Sequence, residues 1–131
     1  MPQREVELIL TRQLASYLTM PIFLTDAEGI LLYYNEPAER LLGRRYEEVG
    51  EMPIEEWSAA FRPTGEDGER LREEDLPLVT ALKKHRPAHR VFSITGLDGR
   101  ARRIAATAFP IEGQHGRQLG AVSIFWEAEG E

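Results

Sequence analysis

The amino-acid sequence predicts an α+β domain built on one five-stranded antiparallel sheet, with short helices inserted after the second strand and an amphipathic helix ahead of the first. Three observations lead there. The chain has 131 residues, the size of one domain with a sizeable core and no room for a second. Five short apolar runs, two early and three late, are bounded by turn-forming residues, as strands are. The stretches between the early and late runs instead repeat apolar residues every three or four positions, which is the helical period. Strands grouped at the two ends and helices grouped between them indicate an antiparallel sheet rather than alternating parallel units.

Between Arg4 and Leu18, the residues Val6, Ile9, Leu10, Leu14, Tyr17 and Leu18 recur at helical spacing, while Glu5, Glu7, Arg12 and Gln13 fall elsewhere on the wheel. This predicts an amphipathic helix that Pro21 ends. Residues 21–26 and 30–34 are apolar runs around Ala27-Glu28-Gly29, a strand, turn and strand in which Gly29 supplies a positive φ. Asn35 is suited to cap a helix, Pro37 to its first turn, and Ala38, Leu41 and Leu42 to its inner stripe, until Gly43 stops it. Residues 46–57 predict one or two further short helices, broken near Gly50 and Pro53, and residues 61–68 a loop. Residues 73–84 predict one longer helix with Leu76, Val79, Ala81 and Leu82 inward. Glu73, Glu74 and Asp75 at its start and Lys83 and Lys84 at its end match the sign of the helix dipole, and Pro87 prevents continuation. Residues 88–95, 101–111 and 118–127 complete the sheet. The first two of these join through Asp98-Gly99, a strong hairpin signal.

Composition narrows function before any motif is considered. Apolar residues make up 42% and charged residues 29%, which disfavours disorder, collagen-like repeats and a disulfide scaffold. With no cysteine there is no disulfide, thiolate ligand, cysteine nucleophile or cysteinyl adduct. No apolar stretch approaches the ~20 residues of a spanning helix, and the first residues lack signal-peptide order, so a cytoplasmic protein off the membrane is expected. A net charge of −6 repels phosphate backbones and disfavours nucleic acid as a partner. Residues 46–75 hold eleven acidic and three basic side chains, residues 83–103 seven basic and one acidic. Such asymmetry pairs one part of a molecule with another, or one protomer with its mate, or else marks solvated faces.

Pro21-Ile22-Phe23-Leu24-Thr25-Asp26, then Glu28-Gly29-Ile30-Leu31-Leu32-Tyr33-Tyr34-Asn35, then Pro37-Ala38-Glu39-Arg40-Leu41-Leu42-Gly43 resemble the opening of PAS domains of bacterial sensory proteins. Leu76-Pro77 and Ala81-Leu82 look like the long helix of those domains, and Asp98-Gly99-Arg100 and Gly120-Ala121-Val122 like their last strand junctions. The resemblance covers nearly the whole chain and rests on the order of the pieces, since each alone is common. It implies a PAS-like five-stranded antiparallel sheet cupped by short helices and used for sensing and dimerisation in signal transduction. Residues 1–20 are then a flanking helix, 21–127 the sensor domain and 128–131 a polar tail. Family members that drive an output domain usually continue through an Asp-Ile-Thr-like junction, which the ending Trp126-Glu127-Ala128-Glu129-Gly130-Glu131 lacks. The chain is accordingly either free-standing or part of a longer sensor, with a kinase, cyclase or regulator as output domain or partner.

Strand alternation sorts side chains into two faces. In the last strand Ala121, Ser123 and Phe125 share one face and Val122, Ile124 and Trp126 the other. Both are apolar, so both need cover, at about 1.5–3 kcal/mol for each large side chain. The helices cup the first. For the second the available cover is the N-terminal helix, with Val6, Ile9, Leu10, Leu14 and Leu18, from the same chain or from a second one. A homodimer on this surface is expected, and a monomer with the helix folded back is the alternative. The cupped face, by alternation and resemblance, carries Phe23, Thr25, Phe92, Ile94, Ile104, Ala106, Ser123 and Phe125. It holds no charge and suits a modest apolar ligand or, alternatively, a filled core.

No cofactor or metal is expected. The flavin-photosensing branch of the family requires a cysteine, and amide side chains where Ile94 and Ile104 stand. The haem-binding branch needs a histidine aimed into the cup from the long helix, whereas His85 sits at that helix's end in a capping position. His85 and His89 have ligand spacing, but Pro87 breaks the helix that would align them, and His115 is in a separate loop. Glu66, Asp67 and Glu69 around Gly68 lack the ligand pattern of a calcium loop. The leading reading is a non-enzymatic sensory module in which a ligand or partner shifts a conformational or dimer equilibrium. One rival is a small cone-shaped enzyme of ketosteroid-isomerase type, which needs a carboxylate or histidine inside the cavity. Asp26 is the nearest candidate, although its place in the turn suits it to holding backbone. The other rival is a ligand-free docking module.

Overall fold

The computed structural model describes residues 6–128, and its elements follow the local chemistry of the chain. Helix α1 spans Val6–Tyr17, and the antiparallel strands β1 (Ile22–Asp26) and β2 (Leu31–Tyr34) follow. Asp26 shapes the turn between them, its carboxylate accepting from the backbone N–H groups of Glu28 and Ile30, both at 3.0 Å, while Gly29 takes φ 87°. Asn35 caps α2 (Glu36–Leu42) and Gly43 ends it at φ 83°. That glycine is required twice over, because a Cβ there would lie 2.6 Å from the backbone nitrogen of Asp98. Two short helices follow, α3 (Tyr46–Val49) and α4 (Ile54–Ala60).

The single helix expected over residues 73–84 is instead two elements. Glu73–Asp75 forms a 3₁₀ turn, and α5 begins anew as Pro77–Lys84. Leu76 between them is extended (φ −84°, ψ 136°), because the ring of Pro77 clashes with a helical residue before it while favouring its own place at the helix start. The acidic triplet therefore belongs to the turn and does not cap α5. Lys83 and Lys84 do close α5, and His85 adopts the left-handed conformation (φ 55°) as its C-cap.

Strands β3 (Ala88–Thr95), β4 (Ala101–Glu112) and β5 (Gln118–Glu127) complete an antiparallel sheet of order β2-β1-β5-β4-β3. The central β5 pairs Phe23 with Ser123 on one side and Ala106 with Phe125 on the other, so inward side chains of three strands meet. The core has two parts. One fills the space between the sheet and α2–α5, and a smaller one lies on the opposite face, where Leu8 and Ala15 of α1 pack with Ile22, Leu24, Leu32, Leu119 and Val122. The expected helix start at Arg4 and most of the expected polar tail lie outside the described residues.

The contact of α1 with the sheet is narrow. Leu8 and Ala15 are its buried residues, whereas Ile9, Leu10 and Leu14 are 52%, 57% and 58% exposed. The apolar stripe expected to cover the outer sheet face thus points away from its own domain. The two-turn spacing of Leu8 and Ala15 is also helical, and the second face was hidden because alanine contributes little to an apolar count.

Candidate functional site

The cup is assembled by pairing on one side and helix caps on the other. From the sheet, Phe23, Phe92, Ile94, Ile104, Ala106, Ser123 and Phe125 surround a cavity of about 80 Å³. From the helical side come Leu42, Trp57, Ser58, Phe61, Pro63, Leu76, Pro77 and Leu78. Seven of the eight residues expected from alternation and resemblance are therefore brought together. The exception is Thr25, which is buried at the end of β1 with its hydroxyl donating to the Asp26 carbonyl at 3.1 Å. At the strand end, the turn chemistry of Asp26 claims it.

The helical half of the lining was not singled out from the sequence. Trp57 had a signal, as the aromatic side chain at the end of a run rich in glutamate. Its indole N–H donates to the Gly29 carbonyl at 2.8 Å, and its ring meets Phe23 edge-on at 5.2 Å, the preferred geometry for aromatic pairs. Phe61 meets Phe23 the same way at 6.5 Å. Ser58 and Ser123 carry the two hydroxyl groups of the lining, the Trp57 N–H being taken up by Gly29, and the lining contains no carboxylate and no histidine. Such a space exceeds the roughly 10–15 Å³ that one water needs and falls below the ~150 Å³ of a dry cavity that takes benzene.

One buried side chain ties the cup to α1. The Asn35 Oδ1 accepts from the backbone N–H groups of Ile22 (2.9 Å) and Ala38 (3.2 Å), while its Nδ2 donates to the carbonyls of Ala15 (2.9 Å) and Met20 (2.8 Å). Four bonds use both ends of the amide, joining α1, β1 and α2 at one point. Beside it Tyr34 stacks on Phe23, with its hydroxyl donating to the Arg44 carbonyl at 2.7 Å. Burial, and secondarily the carboxylates of Glu39 and Glu48, push its phenol pKa well above the ordinary range.

A second junction joins α2 to the β3–β4 turn. Leu97 N–H donates to the Leu42 carbonyl at 2.7 Å, and the Arg102 guanidinium donates to the Leu41 carbonyl at 2.8 Å. Arg102 also pairs with Asp98 at 3.0 Å. The acid and base blocks meet at Glu66–Arg103, 3.2 Å apart, while Lys83, Lys84 and Arg86 are exposed.

The proposed interface residues divide by burial. Val6, Ile9, Leu10, Leu14 and Leu18 are exposed, Val122 is buried beneath α1, Ile124 is half-buried, and Trp126 is 40% exposed beside His89. Asp26 ends β1 with its carboxylate turned to the β1–β2 turn and is not among the residues lining the cup. Among the described residues no group of three potential ligands could hold a metal ion, and no helix is long and apolar enough to cross a membrane.

The model of the PAS fold matches residues 9–125. No relative is found among curated proteins. Solved structures similar in fold include the PAS domain of a protein from Colwellia psychrerythraea, 20% identical over 92% of this chain and 97% of that one, with a TM-score of 0.66. The PAS domain of BvgS from Bordetella pertussis is 19% identical over 95% of this chain and 87% of that one, with a TM-score of 0.63. The PAS domain of nitrogen regulation protein NR(II) from Vibrio parahaemolyticus is 20% identical over 91% of this chain and 98% of that one, with a TM-score of 0.64.

Proposed function

The chain belongs to the PAS family, whose domains are signal-sensing modules, and from that premise we propose a non-enzymatic sensor whose cup takes a small, uncharged, apolar molecule. The observation that carries this reading is the cavity itself: about 80 Å³ lined by aromatic and aliphatic side chains, with two serine hydroxyls and with the Trp57 N–H already bonded to Gly29. An uncharged apolar occupant replaces dispersion contacts that an empty cavity forfeits, whereas a charged one would be buried without a partner. Ketosteroid-isomerase-like chemistry would need an acid or base there, and the lining offers neither. A ligand-free docking module fits the cavity less well, since a solid core leaves no such space.

Two copies form the working unit in this reading, joined through the exposed stripe of α1 and the outer sheet face around Trp126. A second copy offers a matching stripe by symmetry, and burying those side chains contributes about 1.5–3 kcal/mol each when complete. Ligand binding then shifts the dimer or its geometry in the cytoplasm, and an output domain or partner protein of kinase, cyclase or regulator type reads the shift. A tenfold shift needs only about 1.4 kcal/mol of differential affinity.

Native mass spectrometry of the purified protein tests both parts. The expected result is a dimer with a small retained adduct, and Ala106→Phe, which fills the cup, removes the adduct and leaves the dimer. An adduct retained unchanged by Ala106→Phe would place it elsewhere, and a bare monomer at micromolar concentration would overturn the dimer.

A further inference from the structure

We propose that a continuous chain of aromatic contacts, Phe23–Tyr34–Tyr46–Arg12, couples the cup to the position of α1. This rests on the sensory reading and names how occupancy of that cup would reach the helix. Phe23 lines the cavity. Its ring stacks on Tyr34 with centroids 6.1 Å apart and planes 6° from parallel. Tyr34 meets Tyr46 edge-on at 5.5 Å, and Tyr46 meets Tyr33 in the same way at 5.6 Å. The Arg12 guanidinium of α1 lies over this pair, its carbon 4.7 Å from the Tyr33 centroid and 5.9 Å from that of Tyr46. Every link is within the range of a specific aromatic or cation–π contact.

The geometry makes the chain directional. Asn35 fixes the C-terminal end of α1 through its bonds to the Ala15 and Met20 carbonyls, so that end is a pivot. Arg12 lies one turn toward the N-terminus and rests on rings rather than on a buried hydrogen bond. Tyr46 in turn is held by α2, its backbone N–H donating to Glu39 Oε2 at 3.0 Å. An occupant that turns Phe23 therefore moves Tyr34 and Tyr46 beneath Arg12, while the Asn35 bonds stay made. Coupling of this kind needs packed side chains in unbroken contact, and the parallel Phe23–Tyr34 pair followed by the edge-on Tyr34–Tyr46 pair supplies them. The consequence is a change in how firmly α1, with its exposed stripe, lies on its own sheet.

Hydrogen exchange of the α1 amides in the full chain, at one protein concentration, tests the coupling without any ligand. Phe23→Leu is expected to speed exchange across α1 about two- to five-fold, the loss of one cation–π contact at an exposed site. Phe92→Leu opens the same cup outside the chain of contacts and is expected to leave α1 unchanged. Arg12→Ala alone gives the same acceleration, and adding Phe23→Leu to it gives nothing more. Should Phe23→Leu fail to fold, Phe23→Met keeps the volume without the ring and carries the same expectation. Unchanged α1 exchange in a folded Phe23 variant, an equal rise in Phe92→Leu, or additive effects in the double variant would each overturn the proposal. A cup that binds nothing while Phe23→Leu still loosens α1 would defeat the ligand and spare the coupling; a bound adduct with a silent Phe23 variant would do the reverse.

Discussion

Asn35 shows what one side chain can hold together. Its role as a cap for α2 is legible in the sequence, because an asparagine two residues before a proline and an apolar stripe has few other uses. Its bonds to Ala15 and Met20, at 2.9 and 2.8 Å, are not legible, since they join positions fifteen to twenty residues away that meet only once the sheet has formed. Asn35→Ala leaves two buried donors, one buried acceptor and the part-buried Met20 carbonyl without this partner, and each buried group costs roughly 1–3 kcal/mol. Denaturant unfolding is expected to show a loss of at least about 3 kcal/mol. A loss near 1 kcal/mol would mean that the cap alone matters. Thr25 teaches the converse: alternation placed it correctly as buried, but its hydroxyl turns to the Asp26 carbonyl and away from the cup.

At the scale of elements, the joint between α2 and the β3–β4 turn responds to pH. The Arg102 guanidinium, then the Arg100 backbone N–H, hold the Asp98 carboxyl below its ordinary value of 3.8. A carboxyl lowered in the folded state binds protons more readily when unfolded. Its contribution is therefore complete above the unfolded value and fades as pH falls through the lower folded one. Urea midpoints of the protein and of Asp98→Asn, measured from pH 7 to pH 2, are expected to differ at neutral pH and to converge at the acid end. A gap that persists at pH 2 would assign the effect to packing. The elements themselves were largely legible, with strand limits set by turn residues and α2 by its two caps. The break at Leu76 was missed because the helical period of Leu76, Val79, Ala81 and Leu82 runs through Pro77, and the backbone restriction that proline imposes on its predecessor is invisible to a count of apolar spacings.

For the whole molecule, the antiparallel sheet followed from the grouping of its strands and the sorting of apolar residues between two faces from alternation, whereas the strand order and the direction in which α1 presents its stripe did not. Helical spacing is satisfied by two faces of that helix, and the choice depends on which face the sheet can receive closely: Gly120 leaves the opening, since a Cβ there would lie 3.2 Å from Leu8 Cδ2. The outward stripe predicts that Leu10→Glu weakens self-association at least tenfold in sedimentation equilibrium while leaving the unfolding midpoint of the single chain nearly unchanged. An unaltered association constant would move the interface off α1. The two tryptophans of the chain fall on opposite sides of the sheet, Trp57 enclosed against Phe23 and Trp126 open beside His89. The protein thus carries two intrinsic fluorophores, a blue-shifted emitter in the cup and one on the outer face that is red-shifted in a single copy and shifts blue when a second copy covers it. Replacing either with phenylalanine leaves a single optical channel, so events inside and outside can be timed separately with no dye attached.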